Sequence, residues 1–427
     1  MYSPRQKILW FAFSTRIIAV IIQAVTNFVV PDHDANVFIS PEDPTLHRTN
    51  ADIAVDRLLG GFKRWDAQYF IHIAQYGYTY ENCLAFSPLY PLIVRYVAYG
   101  LSSVCGTLLN FHSMLLISAT LVNIVMFVKS ADVLHRLSVR VLRSECKAYK
   151  SVILYCINPA SIFFSAPYSE TLFAWMSFYT MLKCTENETL RFANIDIMSG
   201  LIILPFLLLP LFISCVSLFL TVIIVLIPFL LVQTYNYLKY CVHSDHNLPE
   251  FLLNSEYVLP GTAVSPWCNY SLPLSYSYIQ RHYWDVGFFK YYKLKQIPNF
   301  ILASPIIIFV SYHCMSYIMN NMKLCFRLGL KSNIFGYTNK MPYRPMQYSK
   351  YFGANDPIMF VYVVHIMFLC IFCIMFVHIQ VSTRLLASAS PVLYWICANF
   401  QSRLIQYYFV GYYVIGIVLF SNFYPWT

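Results

Sequence analysis

Charge is the scarcest property of this chain. Only 11% of its 427 residues are Asp, Glu, Lys or Arg, less than half the share of a typical soluble domain. That excludes a soluble globular enzyme and a disordered chain. Also missing are a P-loop, a Rossmann glycine run and a zinc motif, so nothing here calls for a cofactor or a bound metal. The thirteen cysteines are scattered and odd in number, which excludes a disulfide scaffold. Cys370 and Cys373 form a C-x-x-C inside an apolar run with no second pair, and read as packing residues.

In place of charge there is apolar length. Hydrophobic residues make up 58% of the chain and aromatics 18%, and runs of about 20 apolar residues recur, each able to cross a bilayer as a helix. They lack the alternating pattern of an outer-membrane barrel. The fold class is therefore an all-α polytopic membrane protein. After a first helix over 8–30, candidate spans cover 86–103, 111–128, 151–183, 201–232, 300–319, 358–379 and 404–423, with a short re-entrant piece at 391–399. The span at 151–183 contains Pro159, Pro167 and Glu170, so two helical pieces meeting at a bend are expected. The count comes to eight to ten spans.

The net charge of +10 does not imply nucleic acid, because the basic residues sit between spans. Lys129, Arg136, Arg140, Arg143, Lys147 and Lys150 form one cluster, and Lys323, Arg327, Lys331, Lys340, Arg344 and Lys350 another. Both read as cytoplasmic under the positive-inside rule. Arg5 and Lys7 precede a run too long for a signal peptide, which is read as an uncleaved helix starting in the cytosol. If 86–103 and 111–128 both cross, however, the first basic cluster falls on the wrong side; one of them is interfacial, or the rule fails here.

The loop at 31–85 holds eight of the nineteen acids: Asp32, Asp34, Glu42, Asp43, Asp52, Asp56, Asp66 and Glu81. Its sign suits the lumenal side. Within it, 58–75 shows helical spacing broken by Gly60 and Gly61, as an interfacial helix would. The densest polar segment is Arg64-Trp65-Asp66-Ala67-Gln68-Tyr69-Phe70. A carboxylate there can take a proton from a sugar hydroxyl, aromatic faces can stack on a sugar ring, and an arginine fork can hold phosphate. An amphipathic helix with an ordinary ion pair explains the segment equally well. Asp32, in Pro31-Asp32-His33-Asp34, is a second acid, although turn residues capping the next element account for it. Tyr168 and Glu170 place polar groups in an apolar stretch, and ionisable residues there usually face a cavity or partner. The stretch 276–299 carries Gln280, Arg281, Trp284 and Lys293, suited to an interfacial belt or to gripping a lipid phosphate.

Taken together the segments resemble the PIG-V family of GPI mannosyltransferases. The likeness runs through Pro31-Asp32-His33, Leu58-Leu59-Gly60-Gly61, Trp65-Asp66-Ala67, Pro159-Ala160-Ser161 and Tyr168-Ser169-Glu170. It continues through Tyr278-Ile279-Gln280, Tyr283-Trp284, Gln296-Ile297-Pro298-Asn299-Phe300, Thr383-Arg384 and the Asn422-Phe423-Tyr424-Pro425-Trp426-Thr427 segment. The resemblance implies a GT-C-type helical bundle in the endoplasmic reticulum membrane, one membrane-embedded domain over 1–427, with a lumenal active site. It further implies transfer of the second mannose, α1,6-linked, from dolichol-phosphate-mannose to a GPI-precursor glycolipid. Carried to matching positions, Asp66 ahead of Asp32 is the catalytic base. Arg64, Trp65, Gln68, Tyr168, Glu170, Gln280, Arg281, Trp284 and Lys293 are the substrate-binding candidates. An accessory membrane subunit is a further expected partner. The stretch 185–200 departs from the pattern, being short and without an Arg-Ser-Asn-Gly-like segment. Rival readings are another GT-C transferase with a different acceptor, and a transporter or non-catalytic assembly subunit; a transporter should show internal repeats, and none is present. Two Asn-x-Ser/Thr triplets occur, at Asn187 and Asn269.

Overall fold

The computed structural model of the chain describes residues 3–35, 37–186, 223–242, 248–253, 256–261, 264–326, 358–400 and 402–426. Their regular structure is helical, without a strand among the described residues. The chain forms two compact units, one of Met1–Gly77, Leu89–Glu186 and Asp285–Thr427, the other of Tyr78–Pro88 and Asn187–Trp284. Six described helices are long and apolar enough to span a membrane, and the chain is an all-α, multi-pass membrane protein. Most of the expected span at 201–232 and most of the second basic cluster lie outside the described residues.

In the first unit α1 (Pro4–Val29) opens on a capping box, in which Ser3 accepts from the Gln6 N–H and Gln6 accepts from that of Ser3. The axis is α5 (Phe111–Leu142), started by Asn110 accepting from the Ser113 N–H and stopped by Arg143 in the left-handed conformation. Phe127 of α5 stacks on Tyr155 with centroids 4.9 Å apart, and Trp395 donates its indole N–H to Ser138 at 2.7 Å.

Ion pairs and caps fix which ends meet. Arg5, at the start of α1, forks onto Asp132 of α5 at 2.5 and 2.8 Å. Arg136 reaches Glu186, the last residue of α7 (Glu170–Glu186), at 3.2 Å. At the opposite end Thr49 donates to the Leu108 carbonyl at 2.9 Å and Asp52 accepts the Asn110 N–H at 2.9 Å. The helix expected over 86–103 is α4 (Leu89–Cys105), 17 residues long, packed on α3 (Ala67–Tyr76) and α5 and not among the six spans. Its C-terminal end rejoins the loop that follows α1. The parity conflict thus disappears: α5 runs from that loop to the end bearing Arg5, and the first basic cluster lies with the chain's start.

As the prolines imply, 151–183 is not one helix. α6 (Glu145–Cys156) ends, residues 157–169 turn irregularly with a 3-10 turn at Ser161–Phe164, and α7 follows. Arg16, fully buried in α1, fills this break. It donates to the carbonyls of Cys156 (2.9 Å) and Ser161 (2.8 Å) and to the hydroxyls of Ser161 (2.5 Å) and Ser165 (3.0 Å). Its guanidinium also lies 3.9 Å from the Phe127 ring. Irregular backbone at membrane depth needs such partners.

The expected helix over 58–75 is likewise divided, into α2 (Asn50–Leu59), a 3-10 turn at Gly60–Phe62, and α3. Glycine is needed at 61 for proximity, since a Cβ there would stand 2.5 Å from the Gln23 side chain. The second half of the unit holds the spans Leu294–Asn320, Met359–Phe376 and Arg403–Phe420, with two short helices, Ser382–Ala389 and Val392–Asn399, between the last two. Val392–Asn399 coincides with the short piece expected at 391–399. The tail folds back so closely that a Cβ on Gly416 would meet the Trp426 ring at 2.5 Å.

The second unit is organised by Glu81, buried at 2% exposure, which accepts from the Trp267 indole at 2.9 Å and the Tyr283 hydroxyl at 2.8 Å. A disulfide joins Cys241, on the last turn of the span Ile223–Val242, to Cys268. Scattered positions in the sequence gave no hint of that pairing.

Candidate active site

Asp66 stands at the N-cap position of α3, yet its carboxylate makes no capping bond. An acid there normally accepts from the first-turn N–H groups. Here one oxygen, Oδ2, accepts instead from Arg384 at 2.9 Å. The other has no protein partner among the described residues, and the side chain is 31% exposed. The turn that aims it is made by Trp65, whose φ of 57° lies in the left-handed region, costly for a bulky residue and concentrated at functional sites. It sends Arg64 and Asp66 in different directions.

Arg384 lies in the first turn of the helix Ser382–Ala389. A cation at a helix N-terminus opposes the macrodipole, so its partners must compensate. Glu170, at the start of α7, approaches its Nε at 3.5 Å. Burial disfavours the Arg384 charge, but Asp66, Glu170 and Tyr168 outweigh it and raise its pKa above the ordinary arginine value. Tyr168 accepts the Asp66 N–H at 3.0 Å. The second Glu170 oxygen and the Trp65 indole nitrogen are buried without hydrogen-bond partners among the described residues. The cluster is thus two carboxylates, one arginine and a phenol, with polar capacity left over.

Arg64 and Asp32 form a separate group. Arg64 pairs with Asp32 at 2.9 Å, donates to Asn27 at 2.8 Å and to the Ser421 carbonyl at 3.2 Å, and lies 4.5 Å from the Phe423 ring. It ties the end of α1 to the tail. Asp32 and Asp34 form an Asp-x-Asp triplet around His33, but Asp32 is committed to Arg64, and no three His, Cys, Asp or Glu residues converge among the described residues. Gln68 is engaged locally, donating to the Lys63 carbonyl at 2.9 Å and accepting from the Ser40 N–H at 3.4 Å. Lys293 pairs with Asp285 at 2.5 Å, beside Lys290 at 3.1 Å; these two ammonium groups hold the Asp285 carboxyl down at about 2. Gln280, Arg281 and Trp284 belong to the helix Ser275–Trp284 of the second unit, where Trp284 meets Phe86 edge to face at 5.9 Å.

The cluster therefore brings together Asp66, Tyr168 and Glu170 from the expected set. It adds Arg384, which the residue chemistry alone did not single out. The signals available were its place in the Thr383-Arg384 segment of the family likeness and its standing as the only Lys or Arg between Lys350 and Arg403.

The chain is similar to GPI mannosyltransferase 2 of Drosophila pseudoobscura pseudoobscura, 36% identical over 471 aligned positions that cover 99% of this chain and 100% of the relative. It is 34% identical to GPI mannosyltransferase 2 of Drosophila melanogaster, over 99% and 100%, and 34% identical to the human GPI alpha-1,6-mannosyltransferase 2, over 99% of both chains. These alignments are longer than the 427 residues present here, so the relatives carry segments that this chain lacks. No solved structure gives a significant match. The family model described as mannosyltransferase (PIG-V) matches residues 5–202 and 206–427, and the chain belongs to that family of membrane mannosyltransferases.

Proposed function

We propose that this chain transfers the second mannose, in α1,6 linkage, from dolichol-phosphate-mannose to a GPI precursor on the lumenal side of the endoplasmic reticulum membrane, with Asp66 as the base. The supporting observation is an acid at a helix start that caps nothing, is clamped through one oxygen by Arg384 and has its other oxygen without a protein partner among the described residues, on a side chain 31% exposed. The names of the relatives support the linkage and the acceptor. The lumenal side is supported by the basic cluster, which lies at the end of the bundle opposite this loop.

In the proposed reaction the acceptor's 6-hydroxyl attacks C1 of the β-linked mannosyl phosphate, giving the α-mannoside by inversion. The C1–O bond breaks and the polyprenyl phosphate departs with its electron pair. The hydroxyl proton passes to the free oxygen of Asp66. Arg384 holds the carboxylate in place through one bond, and its remaining charge faces the departing phosphate as Asp66 becomes neutral. Glu170 balances the Arg384 charge.

The test uses membranes from cells lacking this activity and expressing the chain, supplied with labelled dolichol-phosphate-mannose and a one-mannose GPI precursor. The expected product bears a second mannose removable by an α1,6-mannosidase. An untouched precursor, or label in a different acceptor, refutes the proposal.

A further inference from the structure

We infer that Asn269 is a modification site that accepts an N-linked oligosaccharide in the lumen. Asn269-Tyr270-Ser271 is an acceptor triplet without proline at its centre. The structure presents it openly. Asn269 is the last residue of the 3-10 turn Pro266–Asn269 and is exposed, Tyr270 is extended and 51% exposed, and Leu272 is 67% exposed.

Two independent observations set its compartment. Cys268, its immediate neighbour, is bridged to Cys241 with Cα atoms 5.7 Å apart, and such bonds form and persist in oxidising compartments, not in the cytosol. The second lies further along the chain. No candidate span separates Asn269 from Leu294, whereas Leu294–Asn320 is one. Beyond it comes Lys323, the first residue of a six-cation cluster without an acid. Positive charge of that kind marks the cytoplasmic end, so the other end of this span, and Asn269 before it, face the lumen.

The second triplet supplies the contrast. Asn187 follows Glu186, which is bonded to Arg136 at 3.2 Å and to Lys183 at 2.7 Å at the basic end of the first unit. That end is cytoplasmic by the same rule, so Asn187 stays unmodified.

The donor is an oligosaccharide on a polyprenyl pyrophosphate, delivered by the lumenal transferase that serves secreted chains. A bond forms between the Asn269 side-chain nitrogen and sugar C1, the C1–O bond to pyrophosphate breaks, the pyrophosphate leaves with the electron pair, and the amide gives up one proton. None of this depends on the mannosyl-transfer reading, because occupancy is read by electrophoresis and not by activity.

The test expresses the tagged full-length chain in animal cells and treats the membranes with an amidase that removes N-linked glycans. The unsubstituted chain should drop by one glycan step. Asn269→Gln and Ser271→Ala should each run at the deglycosylated position from the start. Ser271→Thr, which keeps the acceptor hydroxyl, should retain the step, as should Asn187→Gln. An unsubstituted chain with no shift overturns the inference. So does a shift that survives both Asn269→Gln and Ser271→Ala, or one lost in Asn187→Gln.

Discussion

Asp66 and Arg384 are 318 positions apart in sequence and 2.9 Å apart in space. Asp66 was legible because it sits in a dense polar and aromatic segment, Arg64-Trp65-Asp66, of an otherwise apolar chain. Arg384 was not, since a lone cation between apolar runs reads as a flanking charge until its partner is known. Gln68, which its position also suggested for substrate contact, has its amide bonded locally to Lys63 and Ser40. Replacing Arg384 by Gln removes the clamp on Asp66 while keeping a polar side chain. Turnover should fall roughly 100-fold with KM little changed, the loss expected from misplacing a catalytic group. Arg384→Lys should recover only part, because an ammonium keeps the charge but not the fork. Steady-state kinetics on purified variants separates these outcomes. Asp32→Asn should cost roughly tenfold or less, since a half-exposed ion pair is worth at most about 1 kcal/mol and Arg64 keeps Asn27 and Ser421 as partners.

At the scale of elements, the breaks carry the site. Pro159 and Pro167 made the bend between α6 and α7 readable, because proline removes an N–H and clashes with the preceding turn. What holds the bend was not readable: Arg16 sits mid-way along an apolar helix, and only the fold shows that its donors meet the freed carbonyls of Cys156 and Ser161. That bend ends in Tyr168 and Glu170, so Arg16 sets their positions from a distance. Arg16→Met, similar in length and apolar, leaves these acceptors buried and unpaired at a cost of about 1–3 kcal/mol each. A lowered thermal midpoint in detergent is expected, together with reduced transfer by the fraction that remains folded. The division of 58–75 into two helices was partly legible from Gly60 and Gly61. The close approach of Gly61 to Gln23 was not, because it depends on α1 lying alongside.

For the whole molecule, hydropathy read the class correctly but not the path. It cannot distinguish α4, which stops short and returns, from a crossing helix, nor show that α6 starts and α7 ends at the same basic end of the bundle, because all of these stretches are apolar. Six described helices meet the length and composition of a span, against eight to ten expected, with 187–222 outside the described residues. Under the proposed topology Cys146, exposed at the start of α6, faces the cytosol. A membrane-impermeant maleimide applied to sealed, cytosol-side-out vesicles should label it, and in a Cys184→Ser background, which removes the other exposed thiol at this end, Cys146→Ser should lower the labelling; label gained only after lysis would invert the assignment. The whole account converges on one acid, and Asp66→Asn, isosteric and unable to take the proton, examines it most directly. Measured as single-turnover mannosyl transfer with donor and acceptor saturating, the rate should fall by about 10²–10⁴-fold, the range of a lost general base, with thermal stability and donor affinity retained. Transfer at the unsubstituted rate by a folded Asp66→Asn chain would contradict it.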